Sequence, residues 1–101
     1  MSGSNRSLTS QAKHDQKVLK IVREYEEKDY KVYADIWGYP KPPVIGGYRP
    51  DVLASKGGHR IIVEVEALDS LKTHQAAVKD AAFKRVCRRS STTNYRRVIA
   101  R

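Results

Sequence analysis

Long apolar segments and cysteine pairs are both missing from this sequence. No hydrophobic run approaches the roughly 20 residues that a membrane-spanning helix needs, and the polar stretch from Met1 to Ser7 lacks the apolar core of a secretory signal. The single cysteine, Cys87, cannot form an internal disulfide, and zinc sites need several thiols or clustered histidines. We therefore expect no membrane association and an intracellular, cytoplasmic setting, with Cys87 as a packing residue of a helix.

Acidic residues are scarce relative to basic ones. The chain has 20 Lys and Arg against 11 Asp and Glu, which gives a formal net charge of +9. Such an excess favours a polyanionic partner, and without a membrane segment nucleic acid is a stronger candidate than an anionic membrane surface. With 101 residues, the chain is long enough for one domain with a modest core. Pairing with a second copy would add stability, so a homodimer stays open.

Apolar periodicity predicts a single α/β domain. Residues 1–8 have the composition of a disordered tail, and residues 9–101 form the predicted domain. A loop rich in proline and glycine, residues 38–47, separates the first strand from the second. The predicted elements follow in chain order: helix 10–28, strand 30–37, strand 49–55, tight turn 56–59, strand 60–67, helix 70–89 capped by Asp69 or Ser70, and strand 95–100. The first helix carries a buried stripe of His14, Val18, Ile21, Val22 and Tyr25.

The most informative segment is a hairpin over residues 49–67, whose tight turn is centred on a pair of glycines. With the turn centred there, Asp51 faces Glu64 across the two strands. Side chains alternate between the faces of a strand, so Asp51, Glu64 and Glu66 share one face. The apolar residues on that face are Leu53 and Ile62, and those on the opposite face are Val52, Ala54, Ile61, Val63 and Val65.

Two carboxylates placed opposite each other are unfavourable unless something neutralises them. A hard divalent cation bound by carboxylate oxygens does so, and a shared proton or Arg49 would be alternatives. A carboxylate-held Mg²⁺ (or Mn²⁺) would activate a water and relieve charge on a phosphate, as phosphodiester hydrolysis requires. Asp51 and Glu64 would then be metal ligands, with Glu66 as a further ligand or a group that positions the water. The simpler interpretation is an ordinary amphipathic strand with its glutamates in water.

The motif Pro50-Asp51, followed after twelve residues by Glu64-Val65-Glu66, resembles that of the PD-(D/E)xK nuclease superfamily. The predicted order α-β-β-β-α-β matches the common core of that superfamily. The glycine-rich stretch over residues 46–51 is similar to the approach to this motif in archaeal Holliday junction resolvase-type endonucleases. The resemblance covers most of the chain. It implies a restriction endonuclease-like α/β fold, a mixed central sheet flanked by helices, and metal-dependent cleavage of DNA.

The resemblance also implies roles for individual residues. Gln75 lies on the second helix, where several members carry a glutamine near the catalytic site. Members often carry another acid on the first helix, and Asp15 is the preferred candidate for that third metal ligand. Glu66 stands where the motif has a lysine, as it does in some restriction enzymes of the superfamily. The motif lysine orients the water and steadies developing charge, and Lys72 on the next helix is a candidate to replace it.

Basic and aromatic residues surround the predicted site. The predicted nucleic-acid-binding residues are Arg49, Lys72, Lys79, Arg85, Arg88 and Arg89, which would form a phosphate-contacting rim. Near the end of the helix the same charges would also complement the helix macrodipole. Trp37, Tyr39 and Tyr48 flank the proline-rich loop, where they would either stack on exposed bases or pin the loop to the core.

Three functions are consistent with these patterns. The first is a Mg²⁺-dependent endonuclease that cleaves DNA. The second is an inactive module with the same fold that binds nucleic acid, which the replacement of the motif lysine by Glu66 favours. The third is a basic α/β protein of another kind, such as a ribonucleoprotein component, and it requires Asp51 and Glu64 to lie far apart.

Overall fold

A computed structural model of the chain describes residues 8–70 and 72–101, and it confirms the predicted α/β order. The elements are α1 (Leu8–Glu27), β1 (Lys31–Ala34), β2 (Val52–Lys56), β3 (His59–Ala67), α2 (His74–Arg88) and β4 (Thr93–Ala100). Residues 1–7 of the predicted tail lie outside the described residues, and Leu8 is already the first residue of α1. Among the helices described, none has both the length and the apolar character that a membrane crossing requires.

The strands form one mixed sheet in the order β1-β2-β3-β4. The first two pairings are antiparallel, and β3 and β4 are parallel. In the hairpin of β2 and β3, Lys56 faces His59 and Leu53 faces Ile62, which is the predicted register. The two turn glycines both have positive φ, the conformation of a two-residue turn that matches the twist of its strands.

A helix covers each face of the sheet. The predicted stripe of α1 is buried against the apolar face of β2 and β3, which carries Val52, Ala54, Val63 and Val65. On the other face Phe83 of α2 packs with Leu53 and Ile62, and the half-buried Cys87 lies at the margin of this cluster. Because both faces are covered, β3 is buried along most of its length and its glutamates are not in water.

The first strand ends earlier than predicted. Alternation of side chains to Trp37 predicted a strand over residues 30–37, but pairing with β2 stops at Ala34. The amide of Ala34 donates to the carbonyl of Pro40 (2.9 Å), and the amide of Asp35 donates to the carbonyl of Asp51 (2.9 Å). The bond from Ala34 to Pro40 closes a turn, so the chain leaves the sheet where the alternation of side chains predicted that the strand would continue.

The cap of the second helix was predicted wrongly at Asp69 or Ser70. The N-cap is Thr73, whose side-chain oxygen accepts a hydrogen bond from the amide of Ala76 (3.1 Å). Ser70 is used elsewhere, because its hydroxyl donates to Glu66 (3.2 Å). The chain therefore makes a turn between β3 and α2, and α2 begins at His74. Leu71, which falls in the predicted helix 70–89, lies outside the described residues.

The glycine-rich approach to Asp51 is a tight turn packed against α2. Ile45 and Tyr48 exchange backbone hydrogen bonds of 2.7 and 3.2 Å across Gly46 and Gly47, which both have positive φ. A Cβ at Gly46 would lie 2.9 Å from the side chain of Val86, so a larger residue there would strain the contact with α2. The loop thus reaches Asp51 in a fixed position.

One side-chain hydrogen bond ties α2 to β4. The hydroxyl of Tyr95 donates to Asp80 at 2.7 Å, while its ring packs against Phe83 at 5.7 Å between centroids. We expect Tyr95→Phe to lower the free energy of unfolding by about 1 kcal/mol, because the ring stays and only the hydrogen bond is lost. In a domain of this size that corresponds to a fall in Tm of about 4–8 °C in a thermal melt. An unchanged Tm would show that the bond does not hold the two elements together.

Candidate functional site

Asp51 lies at the point where the loop enters β2, and the backbone of two strands holds it in place. Its carbonyl accepts the amide of Asp35 from the end of β1. Its side-chain Oδ2 accepts the amide of Val65 on β3 at 2.8 Å. The side chain is 13% exposed.

Glu64 lies beside Asp51 on β3, as the hairpin register predicted. The backbone amide of Asp51 donates to Glu64 Oε1 at 3.2 Å, so the main chain of one acid binds the side chain of the other. The Nζ of Lys79 lies 2.7 Å from Glu64 Oε2, and the glutamate side chain is only 2% exposed. The like charges are therefore compensated in part by an ammonium from α2.

Glu66 shares the face of Glu64 and is buried, with 4% of its surface exposed. Its Oε2 accepts a hydrogen bond from the hydroxyl of Ser70 at 3.2 Å. Its charge is also close enough to raise the pKa of Lys79. Three carboxylates and one lysine therefore make up the electrostatic centre of this face.

His14 brings α1 into the same site. The imidazole is 3% exposed, and its Nε2 lies 3.2 Å from Asp51 Oδ1. Its Nδ1 lies 3.0 Å from Asp15 Oδ1, on the other side of the ring. Asp15 also accepts a hydrogen bond from Gln11 at 2.9 Å. The imidazole thus has a carboxylate at each nitrogen, which fixes its orientation and that of Asp51.

The ionisation of the site follows from burial and close charges. Burial and the neighbouring Asp51 raise the pKa of Glu64 to about 8, although Lys79 opposes the shift. Burial alone would raise the pKa of Asp51, but the contacts with His14, the amide of Val65 and Lys79 lower it below its ordinary value. Partial burial would lower the pKa of Lys79, but the three acids raise it. The centre therefore holds an excess of negative charge that it accommodates by keeping a proton on Glu64.

This shift of the Glu64 pKa makes stability depend on pH. Between the ordinary value of 4.5 and about 8, the folded state keeps a proton that the unfolded state releases, so the free energy of unfolding falls as pH rises. Glu64→Gln has no such group. With a chelator present, we compare the Tm of the variant with that of the wild type at pH 5 and at pH 8. We expect the difference, variant minus wild type, to be at least about 5 °C larger at pH 8 than at pH 5. A difference in Tm that does not change with pH would contradict the shift.

Several predicted residues lie together and others lie apart. The structure brings together Asp51, Glu64 and Glu66. Asp15 contacts His14, and His14 contacts Asp51. Gln75 is exposed on the first turn of α2. The predicted phosphate-contacting residues that are exposed are Arg49, Lys72, Arg85, Arg88 and Arg89. Within residues 8–70 and 72–101, no group of three or more His, Cys, Asp and Glu side chains is arranged to hold a metal ion.

Sequence reasoning missed the parts that His14 and Lys79 play. His14 was predicted only as a member of the buried stripe, although a titratable side chain among valines and isoleucines was a signal of a polar partner across the core. Lys79 was predicted on the phosphate rim, and Lys72 was the candidate for the missing ammonium. The signal for Lys79 was its spacing of four residues from Gln75, which places both on one face of α2.

The fold and the paired acids define the class of protein. Two helices flank a four-stranded mixed sheet in the order α-β-β-β-α-β, with Asp51 and Glu64 in contact at the hairpin, which is the restriction endonuclease-like fold of the PD-(D/E)xK superfamily. The chain belongs to the AHJR-like family of restriction endonuclease-like proteins (REase_AHJR-like), whose model matches residues 6–86. No curated protein and no solved structure matches the chain. The family identifies a nuclease-like enzyme and sets aside the unrelated basic α/β protein.

Proposed function

We propose that this protein is a divalent-metal-dependent endonuclease that hydrolyses phosphodiester bonds in DNA. In this proposal Asp51 and Glu64 bind Mg²⁺ or Mn²⁺, and Lys79 takes the part of the motif lysine that Glu66 has replaced. The observation that carries the proposal is the contact of three groups at one point of the sheet. The backbone amide of Asp51 lies 3.2 Å from Glu64 Oε1, and Lys79 Nζ lies 2.7 Å from Glu64 Oε2.

The donor atoms suit a hard cation. Carboxylate oxygens are the ligands that Mg²⁺ prefers, and one or two of them suffice because this ion keeps several waters and also binds substrate phosphates. Two carboxylates therefore meet the need without a third protein ligand. Burial and the negative charge of Asp51 together raise the pKa of Glu64. A doubly charged ion would relieve that charge and allow both acids to ionise.

Each residue of the site has a distinct part. Mg²⁺ held by Asp51 and Glu64 would supply an activated water and relief of charge on the phosphate. The ammonium of Lys79 can orient the attacking water and stabilise the charge that develops on the phosphoryl oxygens. The imidazole of His14 fixes the orientation of the Asp51 carboxylate, and the carboxylate of Asp15 fixes the orientation of His14. These two are positioning residues, and this is the proposed part of Asp15 in place of direct metal ligation.

The surface charge suits a nucleic-acid substrate. The net charge is +9, and the exposed Arg85 and Arg88 of α2 and Arg49 of the loop before Asp51 lie on elements that also supply the site. Phosphate contacts of this kind give affinity that depends strongly on salt and little on sequence. They would position the strand with a phosphate at Asp51.

The test is a cleavage assay on plasmid and on oligonucleotide DNA with Mg²⁺ or Mn²⁺. Nicked or linear product should form only when the metal is present, and excess EDTA should abolish it. Binding should persist in EDTA and weaken as salt rises. Salt-sensitive binding with no product at any metal concentration would instead identify the inactive module that binds nucleic acid.

A further inference from the structure

The turn between β1 and the proline-rich loop presents a single large side chain to solvent. Backbone hydrogen bonds close the turn, from Ala34 to Pro40 at 2.9 Å and from Tyr39 to Ile36 at 3.4 Å. Ile36 and Tyr39 pack against the core on the α1 face of the sheet. Trp37, between them, is 97% exposed. The core therefore anchors the turn on both sides while the indole points away from it.

The same turn is attached to the candidate site. The amide of Asp35, two residues before Trp37, donates to the carbonyl of Asp51 at 2.9 Å. Two residues span at most about 7 Å, so the backbone of Trp37 lies close to the entry of Asp51 into the sheet. Successive phosphates of a DNA strand are spaced by about 3.4 Å along the duplex axis. The indole is therefore within a few nucleotides of a phosphate held at Asp51.

An exposed indole on an anchored turn lacks an explanation in the fold. Trp buries more surface than almost any other side chain when a core is available, and here the neighbouring Ile36 and Tyr39 fill that part of the core instead. The exposed Lys41 and Arg49 lie in the same connection between β1 and β2 as Trp37. A base with its phosphate complements this combination, since the ring stacks on the base and the cations meet the phosphate.

We propose that Trp37 is a binding site for an unpaired nucleobase next to the phosphate to be cut. This deepens the proposed function, because the position of Trp37 matters for a strand held at Asp51. Bases in an intact duplex have both faces stacked, so the indole can reach a base only in single-stranded or locally opened DNA. The site therefore favours DNA with unpaired bases, and it does so through stacking without reading the sequence.

Trp37 is the only tryptophan, so its fluorescence reports on this site alone. The experiment titrates the full chain in EDTA with a short single-stranded oligodeoxynucleotide and, separately, with a closed circular duplex that contains the same sequence and has no exposed terminal base pair. We expect the single strand to quench the fluorescence as it binds and the duplex to bind with much less quenching. Binding of the single strand without quenching would overturn the proposal.

Three variants distinguish stacking on the ring from nonspecific apolar contact. The affinity is measured by the fluorescence anisotropy of a labelled single strand. Trp37→Ala should bind about 10-fold or more weakly, whereas Trp37→Phe should retain most of the affinity because a ring is kept. Val44→Ala is the control, since Val44 is a 58% exposed apolar residue of the same loop. It should bind within about twofold of the wild type. Equal losses in the alanine variants at residues 37 and 44 would contradict stacking.

The outcome is distinguishable from that of the cleavage assay. Because binding is measured without metal, quenching and loss of affinity in Trp37→Ala would support the stacking site even in a protein that never cuts DNA. Cleavage by wild type and Trp37→Ala at the same rate, with no quenching, would remove the stacking site and leave the nuclease. A fluorescence change that follows protein concentration without DNA would mean that a second copy of the chain covers Trp37, which also overturns the proposal.

Discussion

Asp51→Asn should abolish metal-dependent cleavage, with a fall in rate of about a thousandfold or more. The amide oxygen can still accept the hydrogen bond from Val65 that Asp51 Oδ2 accepts at 2.8 Å, so the fold is kept. What the variant loses is the negative charge that a cation requires. The charge of Asp51 contributes to the raised pKa of Glu64, so its loss also lowers that pKa. The measurement is the initial rate of plasmid nicking in saturating Mg²⁺.

The matched control is Asp29→Asn. Asp29 is exposed after the end of α1, near the hairpin turn and at the opposite end of β2 from Asp51. Its φ of 65° is a conformation that asparagine tolerates well. It removes the same charge without touching the site, so its rate should equal that of the wild type. Equal nicking by Asp51→Asn and Asp29→Asn would show that the carboxylate of Asp51 does not serve the reaction.

Lys79→Met should lower the cleavage rate by about 100-fold while leaving metal binding intact. Methionine keeps the aliphatic length that packs along α2 but removes the ammonium 2.7 Å from Glu64. That ammonium competes with a cation for Glu64 Oε2, so the affinity for Mn²⁺ should be equal or higher in the variant. The two readouts therefore move in different directions, which a general loss of structure would not produce.

Lys84→Met is the control for this variant, since Lys84 lies on the same helix and pairs with Asp80 at 2.8 Å, with 59% of its side chain exposed. Its rate should stay near that of the wild type at fixed salt. If Lys79→Met cleaved DNA as fast as Lys84→Met, the ammonium would be a structural counter-ion of Glu64 and would have no part in the reaction.

The hairpin and its acids could be predicted from sequence because the rules that fix them are local. A pair of glycines centres the turn, strand side chains alternate, and together these determine that Asp51 and Glu64 are neighbours. The continuous burial of β3 was harder to see. The simpler interpretation of the pattern placed its glutamates in water on a half-exposed strand. Only the position of α2 shows that they are covered.

The contributions of the two helices depend on tertiary packing, and the sequence carries little sign of them. His14 reaches Asp51 because α1 crosses the sheet with its first turns near the start of β2, a geometry that helical periodicity cannot supply. Lys79 reaches Glu64 from α2, which begins at His74, later than predicted. The replacement of the motif lysine by Glu66 was visible in sequence, and a lysine of the second helix was predicted to substitute for it. The prediction named Lys72, whereas the lysine beside Glu64 is Lys79.

The most direct measurement is a crystal structure of the protein soaked in Mn²⁺, with the ion located by its anomalous scattering. We expect a peak within about 2–2.5 Å of one oxygen of Asp51 and one of Glu64, and no such peak in crystals of Asp51→Asn. A peak bound by other residues, or an empty site in crystals of a protein that still cleaves DNA with Mn²⁺, would contradict this expectation.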